Sequence, residues 1–359
     1  MKKRIAILVA GVAAVAAGLT TGVVVSSPDA TAPEAPAAIS QAAGLAHDQQ
    51  GQPGPGIPAD PLALRAAANP EGGGDVSPMI VGGEEVKQPY SFVGSLQVKR
   101  YKGEDGFHSC GASLITGWLG DRYGQWAVTA AHCVDNMPAS ALGGRAENPA
   151  QASLVSLASR TRTEGIDWTD PAQFRIRFGS LDRKHGGVVV GISQIVRHPS
   201  WGWTGPGDVA LLRLSGPVNL KPALVLPADR QRLMREIGWG YTTPDRSDKL
   251  PMRLRQIDVP FLDPSECAAA GIGEGEYCLA DAFGGPCNGD SGTGGLQQQG
   301  DDWRVVVGLT SRGAGEQLCG ATPAVYTDLS AYLPWMKQVV FQLPPGVSAA
   351  NRELTAAGL

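Results

Sequence analysis

The chain is poor in several things that mark whole classes of protein. Its 359 residues carry a formal net charge of only −4, and no basic stripe runs along them. That argues against a nucleic-acid partner. Only six cysteines occur, at 110, 133, 267, 278, 287 and 319. None form a C-x-x-C pair, so the usual structural zinc pattern is missing and no metal or cofactor is expected. No lipobox cysteine follows the N-terminal apolar run. Internal repeats are absent, as is the strand–helix alternation of a parallel sheet. Aromatics make up 6% of the chain. No acidic loop reads as a calcium site.

Glycine and proline are abundant instead, at 48 and 27 residues. Such punctuation suits a loop-rich all-β protein better than a helical one. The N-terminus reads Met1-Lys-Lys-Arg4, then an uncharged Ala/Gly/Val-rich run from Ile5 to Val25, then Ala30-Thr-Ala32. A basic head, an apolar run and an A-x-A site form a secretory signal pattern over 1–32. The competing reading is an uncleaved anchor, since that run is just long enough to span a bilayer. Secretion is therefore expected, with a cell-surface membrane anchor as the alternative. Export would allow the even set of cysteines to pair. Residues 33–79 are rich in Ala, Pro, Gly and Gln and have no core-forming pattern, so they read as a propeptide without its own fold.

From Ile80 the texture changes. Short β-type runs recur at 91–98, 125–130, 174–178, 188–196, 209–214, 256–261 and 303–310, separated by turn residues. This spacing predicts antiparallel sandwich or barrel strands. Residues 137–171 break the rhythm and are expected to be a long surface insertion. Apolar residues at 333, 336, 339 and 340 predict a helix over 329–341, stopped by Pro344-Pro345. The expected domain is 80–343, with a frayed tail over 344–359.

Three stretches carry chemistry. Cys287-Asn-Gly-Asp-Ser-Gly-Thr-Gly-Gly295 places Ser291 in a glycine-rich loop, where a hydroxyl can be exposed and N–H groups can converge. Gln125-Trp-Ala-Val-Thr-Ala-Ala-His-Cys133 runs from an apolar strand into small residues and then His132. Gly207-Asp-Val-Ala-Leu-Leu-Arg-Leu214 opens a strand with Asp208, an acid positioned to orient a histidine. Each alone has an ordinary reading, as a surface turn, a solvated histidine or a turn acid.

Together these stretches resemble the trypsin/chymotrypsin-like serine endopeptidases, in the form of a bacterial-type secreted zymogen. T-A-A-H-C stands at Thr129–Cys133, x-D-I-A-L-L at Gly207–Leu212 with Val209 for Ile, and G-D-S-G at Gly289–Gly292, in the family's order. The α/β-hydrolase alternative fails, because Thr293 breaks G-x-S-x-G and the order of residues is wrong. The resemblance implies two six-stranded antiparallel β-barrels with a C-terminal helix. It implies Ser291 as nucleophile, His132 as base and Asp208 as its orienter, with an oxyanion hole from the N–H groups of Gly289 and Ser291. Ser311 matches the serine that bonds the buried aspartate. Ile80-Val-Gly-Gly83 resembles the mature N-terminus, whose freed ammonium would pair with Asp290. Met79 departs from the Lys or Arg a tryptic activator needs, so a different activating protease is implied. The resemblance also implies the bridges Cys110–Cys133, Cys267–Cys278 and Cys287–Cys319. Trp239-Gly240 resembles a family pair near the activation pocket.

The pocket positions are Gly285, Ser311, Arg312, Gly313 and Ala324. Gly285 stands where trypsin-like members carry an acid, which argues for an apolar rather than a basic preference. Arg312 replaces the usual Trp and is expected either to meet an acidic substrate residue or to face solvent. Asp281 is a remote candidate for a basic preference. His108, His185 and His198 are expected in loops or at the surface. Partners are then protein or peptide substrates and the activator, with the protease itself a monomer. The alternative function is an inactive, protease-like binding protein.

Overall fold

The computed structural model describes residues 80–99, 105–115, 124–136, 166–203, 205–280, 284–315 and 319–341. The signal, propeptide and tail assignments, most of the 137–171 insertion, and Asp281 lie outside the described residues.

Strands dominate. In chain order they are β1 (Glu84–Glu85), β2 (Val93–Val98), β3 (Phe107–Ile115), β4 (Gly124–Thr129), β5 (Phe174–Phe178), β6 (Val188–Arg197), β7 (Ala210–Val218) and β8 (Leu224–Val225). They continue as β9 (Met234–Gly238), β10 (Arg255–Val259), β11 (Phe261–Leu262), β12 (Glu276–Leu279), β13 (Gly294–Gln299), β14 (Asp302–Gly313) and β15 (Ala324–Asp328). The closing helix, α1, is Leu329–Val340. Asp328 caps it by accepting the Ser330 N–H at 2.8 Å, a stable way to satisfy a free helix-start donor.

Strands β2-β3-β4-β7-β6-β5 close into an antiparallel six-stranded barrel, with β5 returning to β2. In β5 the alternation is plain: Phe174, Ile176 and Phe178 point inward and the arginines between them do not, as a period of two requires. The second half is a sheet ordered β1-β10-β9-β13-β14-β15-β12-β11, with β8 added beside β14. It curls into a half-barrel rather than closing as a hydrogen-bonded ring, unlike the second closed barrel expected. Pro260, which has no N–H to donate, falls between β10 and β11. It splits one extended segment into β10, which pairs with β9, and β11, which pairs with β12.

One buried cluster spans both halves, joining Leu211 and Ile176 to Trp239, Leu296, Val306 and Met336. A second, inside the half-barrel, gathers Ile80, Met234, Ile257, Phe261, Tyr277 and Tyr326. No helix among the described residues is long and apolar enough to cross a membrane.

Candidate active site

β4 delivers the histidine. It ends at Thr129, and the chain tightens into a short 3-10 turn, Ala131–Val134, that holds His132 in a buried position. Disulfide Cys110–Cys133 ties this turn to β3. Asp208, just ahead of β7, is fully buried beneath it. Its Oδ2 accepts from His132 Nδ1 at 2.7 Å and its Oδ1 from the His132 backbone N–H at 3.0 Å. Ser311 Oγ also donates to Oδ2, at 2.7 Å. Burial works to raise the Asp208 carboxyl, but the facing imidazole and these donors outweigh it and hold it below the usual carboxylate range. An ionised Asp208 accepting from Nδ1 leaves His132 Nε2 as the ring's free acceptor.

Ser311 reaches Asp208 because of a fault in the ladder. The register of β14 against β15 shifts between Thr310 and Arg312, and such a bulge re-aims the side chain it carries. The carbonyl of Asp208 is held as well, by Thr327 Oγ1 at 3.0 Å.

The Ser291 loop precedes β13 and is clamped onto β3 of the closed barrel. Gly111 N–H donates to the Ser291 carbonyl at 2.8 Å, and His108 Nε2 donates to the Gly289 carbonyl at 2.9 Å. Gly292 takes φ +73°, and a Cβ there would lie 2.2 Å from Thr129 Oγ1, so only glycine fits. Cys287–Cys319 staples the base of the loop, and Cys267–Cys278 bridges the segment before β12 to β12 itself. Among the described residues, the N–H groups of Gly289 and Ser291 donate to no other backbone group, and no hydrogen bond joins Ser291 Oγ to His132. The three cysteine–histidine atoms near 110, 132 and 133 are close enough for a metal, but both sulfurs belong to the disulfide.

Asp290 is buried and accepts from Gly240 N–H at 2.6 Å and Cys287 N–H at 3.0 Å. Its carboxylate fits because a Cβ on Gly238 would come within 2.0 Å of it and one on Gly240 within 2.3 Å. Burial pushes its pKa up to about 7, against the pull of those two donors. Ile80 is 1% exposed. Val81, next to it, pairs with Gly285, which donates to the Val81 carbonyl at 2.9 Å.

The pocket residues divide. Gly313 and Ala324 are direct cross-strand partners. Ser311 belongs to the Asp208 cluster. Arg312 does neither of the things expected of it: it is buried and turned onto Glu276, with further bonds to the Ala270 and Gly271 carbonyls. A guanidinium needs five acceptors, and this site offers them away from water. His108 also departs from its expected surface position. It is buried between Ser95 and Gly289, and desolvation lowers its pKa to about 3, despite its bond to Gly289. The carbonyl partner requires a proton on Nε2, so Nδ1 accepts from Ser95.

An aromatic wall went unseen in the sequence. Trp201 lies with its ring centroid 6.4 Å from that of His132, beside Trp203. Both indole N–H groups donate to Asp135 Oδ2, at 3.0 and 2.9 Å. An acid three residues after the histidine, with two nearby tryptophans, was the available signal.

Residues 166–336 match the protein-family model described as Trypsin. Over that stretch the chain is similar to trypsin-family serine proteases. Among curated relatives, the CLIP domain-containing serine protease B4 of Anopheles gambiae is 26% identical over 76% of this chain and 73% of its own length. Phenoloxidase-activating factor 3 of Holotrichia diomphalia is 29% identical over 73% of this chain and 72% of its own length. Both relatives are insect proteins, whereas the motifs had suggested a bacterial-type precursor. The trypsin-family match spans Asp208 and Ser291 directly.

Proposed function

We propose that the chain is an exported serine endopeptidase, made as a precursor and matured by cleavage before Ile80. The observation that carries this is the buried 2.7 Å bond from His132 Nδ1 to Asp208, reinforced by Ser311 and placed across a seam from the Ser291 loop. Ser291 Oγ attacks the scissile carbonyl and His132 Nε2 takes its proton. The proton then passes to the leaving amine, water repeats the cycle on the acyl-enzyme, and Asp208 stabilises the imidazolium throughout. The N–H groups of Gly289 and Ser291 receive the developing oxyanion, a contribution on the order of 10²–10³ in rate per donor. Three disulfides in the described structure favour an oxidising, extracellular setting.

Maturation would place the new ammonium of Ile80 beside the buried Asp290, where the segment already docks through Val81 and Gly285. One relative is named a phenoloxidase-activating factor, and a protein substrate is proposed for this chain. Fluorophosphonate labelling of protein matured at Ile80 tests the reading. Labelling that Ser291→Ala abolishes is the expected result. A matured chain that stays unlabelled would overturn it in favour of a protease-like binding protein.

A further inference from the structure

Arg312 engages every N–H of its guanidinium in the interior. Nε donates to the Ala270 carbonyl at 2.9 Å, and Nη2 to Glu276 Oε2 at 2.8 Å and the Gly271 carbonyl at 3.2 Å. Nη1 donates to Glu276 Oε1 at 2.6 Å and, with its other hydrogen, to Ser311 Oγ at 3.2 Å. Glu276 is itself fixed, because its Oε2 accepts the Gly273 N–H at 2.9 Å. Neighbouring residues of a regular strand face opposite ways. Ser311 and Arg312 can meet because the register of β14 slips between Thr310 and Arg312.

The bond from Nη1 to Ser311 decides where a hydrogen goes. A serine hydroxyl carries one O–H and accepts through its lone pairs. With Arg312 donating to Ser311 Oγ, the single Ser311 hydrogen is left for an acceptor, and Asp208 Oδ2 stands at 2.7 Å. Ser311 is 2% exposed and Asp208 0%, so bulk water competes for neither. The donors run one way, from guanidinium to hydroxyl to carboxylate, and bonds aligned in that sense strengthen one another. Asp208 Oδ2 is also the oxygen that accepts from His132 Nδ1.

We propose that Arg312 is a positioning residue for hydrolysis: its N–H aims the Ser311 hydroxyl at Asp208 Oδ2, and through Asp208 it steadies the His132 ring toward Ser291. This rests on the serine endopeptidase reading. An arginine that only braced the fold would act on stability and would act whether or not Ser311 had a hydroxyl. A positioning arginine acts on the chemical step and only through that hydroxyl.

The test is a double-mutant cycle on protein matured at Ile80, with active sites titrated by fluorophosphonate and kcat and KM read on the library peptide that wild type cleaves best. Arg312→Met with Glu276→Leu removes the donor without stranding a charge, and a urea curve reports whether the fold survives. In the wild-type background this pair should lower kcat on the order of 10-fold, the worth of one hydrogen bond, and leave KM within about two-fold. In a Ser311→Ala background the same pair should change kcat by less than about two-fold, since the hydroxyl it orients is gone. Should the pair not fold, Arg312→Lys is read in the same cycle, because it keeps a cation for Glu276 but gives up the planar fork that also reaches Ser311. An unchanged kcat, an equal loss in both backgrounds, or a loss confined to KM would overturn the inference while leaving the hydrolase reading intact. Absence of fluorophosphonate labelling in wild type would overturn both.

Discussion

Arg312 grips Glu276 through two parallel bonds of 2.6 and 2.8 Å, where the two side chains are 1% and 0% exposed. The pair lies directly behind the site, since an Arg312 N–H also reaches Ser311 Oγ at 3.2 Å. Removing one member strands the other charge in a dry place, at a cost of ~3–5 kcal/mol. Arg312→Met should therefore lower the urea midpoint strongly. Arg312→Met with Glu276→Leu should recover most of the loss, because an apolar pair of similar volume costs far less there. Equal destabilisation in the single and double variants would contradict this account.

Asp208 gives a sharper readout of activity than of stability. Its replacement by Asn keeps the volume but loses the acceptor that fixes a proton on His132 Nδ1, so kcat should fall on the order of 10⁴-fold. Ser311→Ala removes one of the donors that hold Asp208 below its ordinary range. The depressed carboxyl contributes stability above its unfolded pKa, and that stability is lost as pH falls through the folded value. Loss of the Ser311 bond should raise that folded value, so acid unfolding of Ser311→Ala should begin at higher pH than in wild type.

Asp290 has the opposite sign. Its ordinary pKa is 3.8 and its buried value about 7. Between those values the folded chain binds the proton that the unfolded chain has released, so stability falls as pH rises through the window and levels off above it. The full difference is on the order of 4 kcal/mol. Asp290→Asn should flatten the slope of unfolding free energy between pH 4 and 7. After maturation, an ammonium at Ile80 would favour the charged carboxylate. Activity should then decline at strongly alkaline pH as the amine deprotonates; a flat profile to about pH 11 would speak against that pair.

His108 ties the closed barrel to the serine loop by its bond to the Gly289 carbonyl. Its pKa of about 3 sits below the ordinary 6.5. The unfolded chain binds a proton more readily across that window, so this group's contribution is lost as pH falls from about 6.5 toward 3. His108→Ala releases the Gly289 carbonyl and so loosens the backbone that aims the Gly289 N–H from the preceding peptide, and it should lower kcat more than it raises KM, since the oxyanion donor acts mainly in the transition state. His108→Gln keeps an N–H donor and should fall between the two.

The site was legible in sequence where chemistry is local. His132, Asp208 and Ser291 each sit in a short motif that fixes residue type and spacing, and the loop glycines mark the turns they permit. β5 was legible because one face alternates. β3 was not, because FHSCGASLI is buried along nearly its whole length and shows no period of two. β13 was hidden by its run of glutamines, although Gln297 is buried and bonds to Asp229. Arg312 and His108 were misplaced for a common reason: a charged or polar side chain reads as exposed until its buried partner, here Glu276 or the Gly289 carbonyl, is known.

The disulfides have a consequence for how the molecule would fail. Cys110–Cys133 lies wholly in the closed barrel, and the other two lie wholly in the half-barrel. No covalent crosslink bridges the two, so the halves are reinforced and the boundary is not. His132 and Asp208 stand on one bank and Ser291 on the other, joined by bonds such as Ser311 to Asp208 and Gly111 to Ser291. Gentle urea should therefore silence hydrolysis by parting the banks while each keeps its β-structure, with inactivation measurably ahead of the loss of far-UV circular dichroism. Dilution should bring activity back without any need to re-form a sulfur bond.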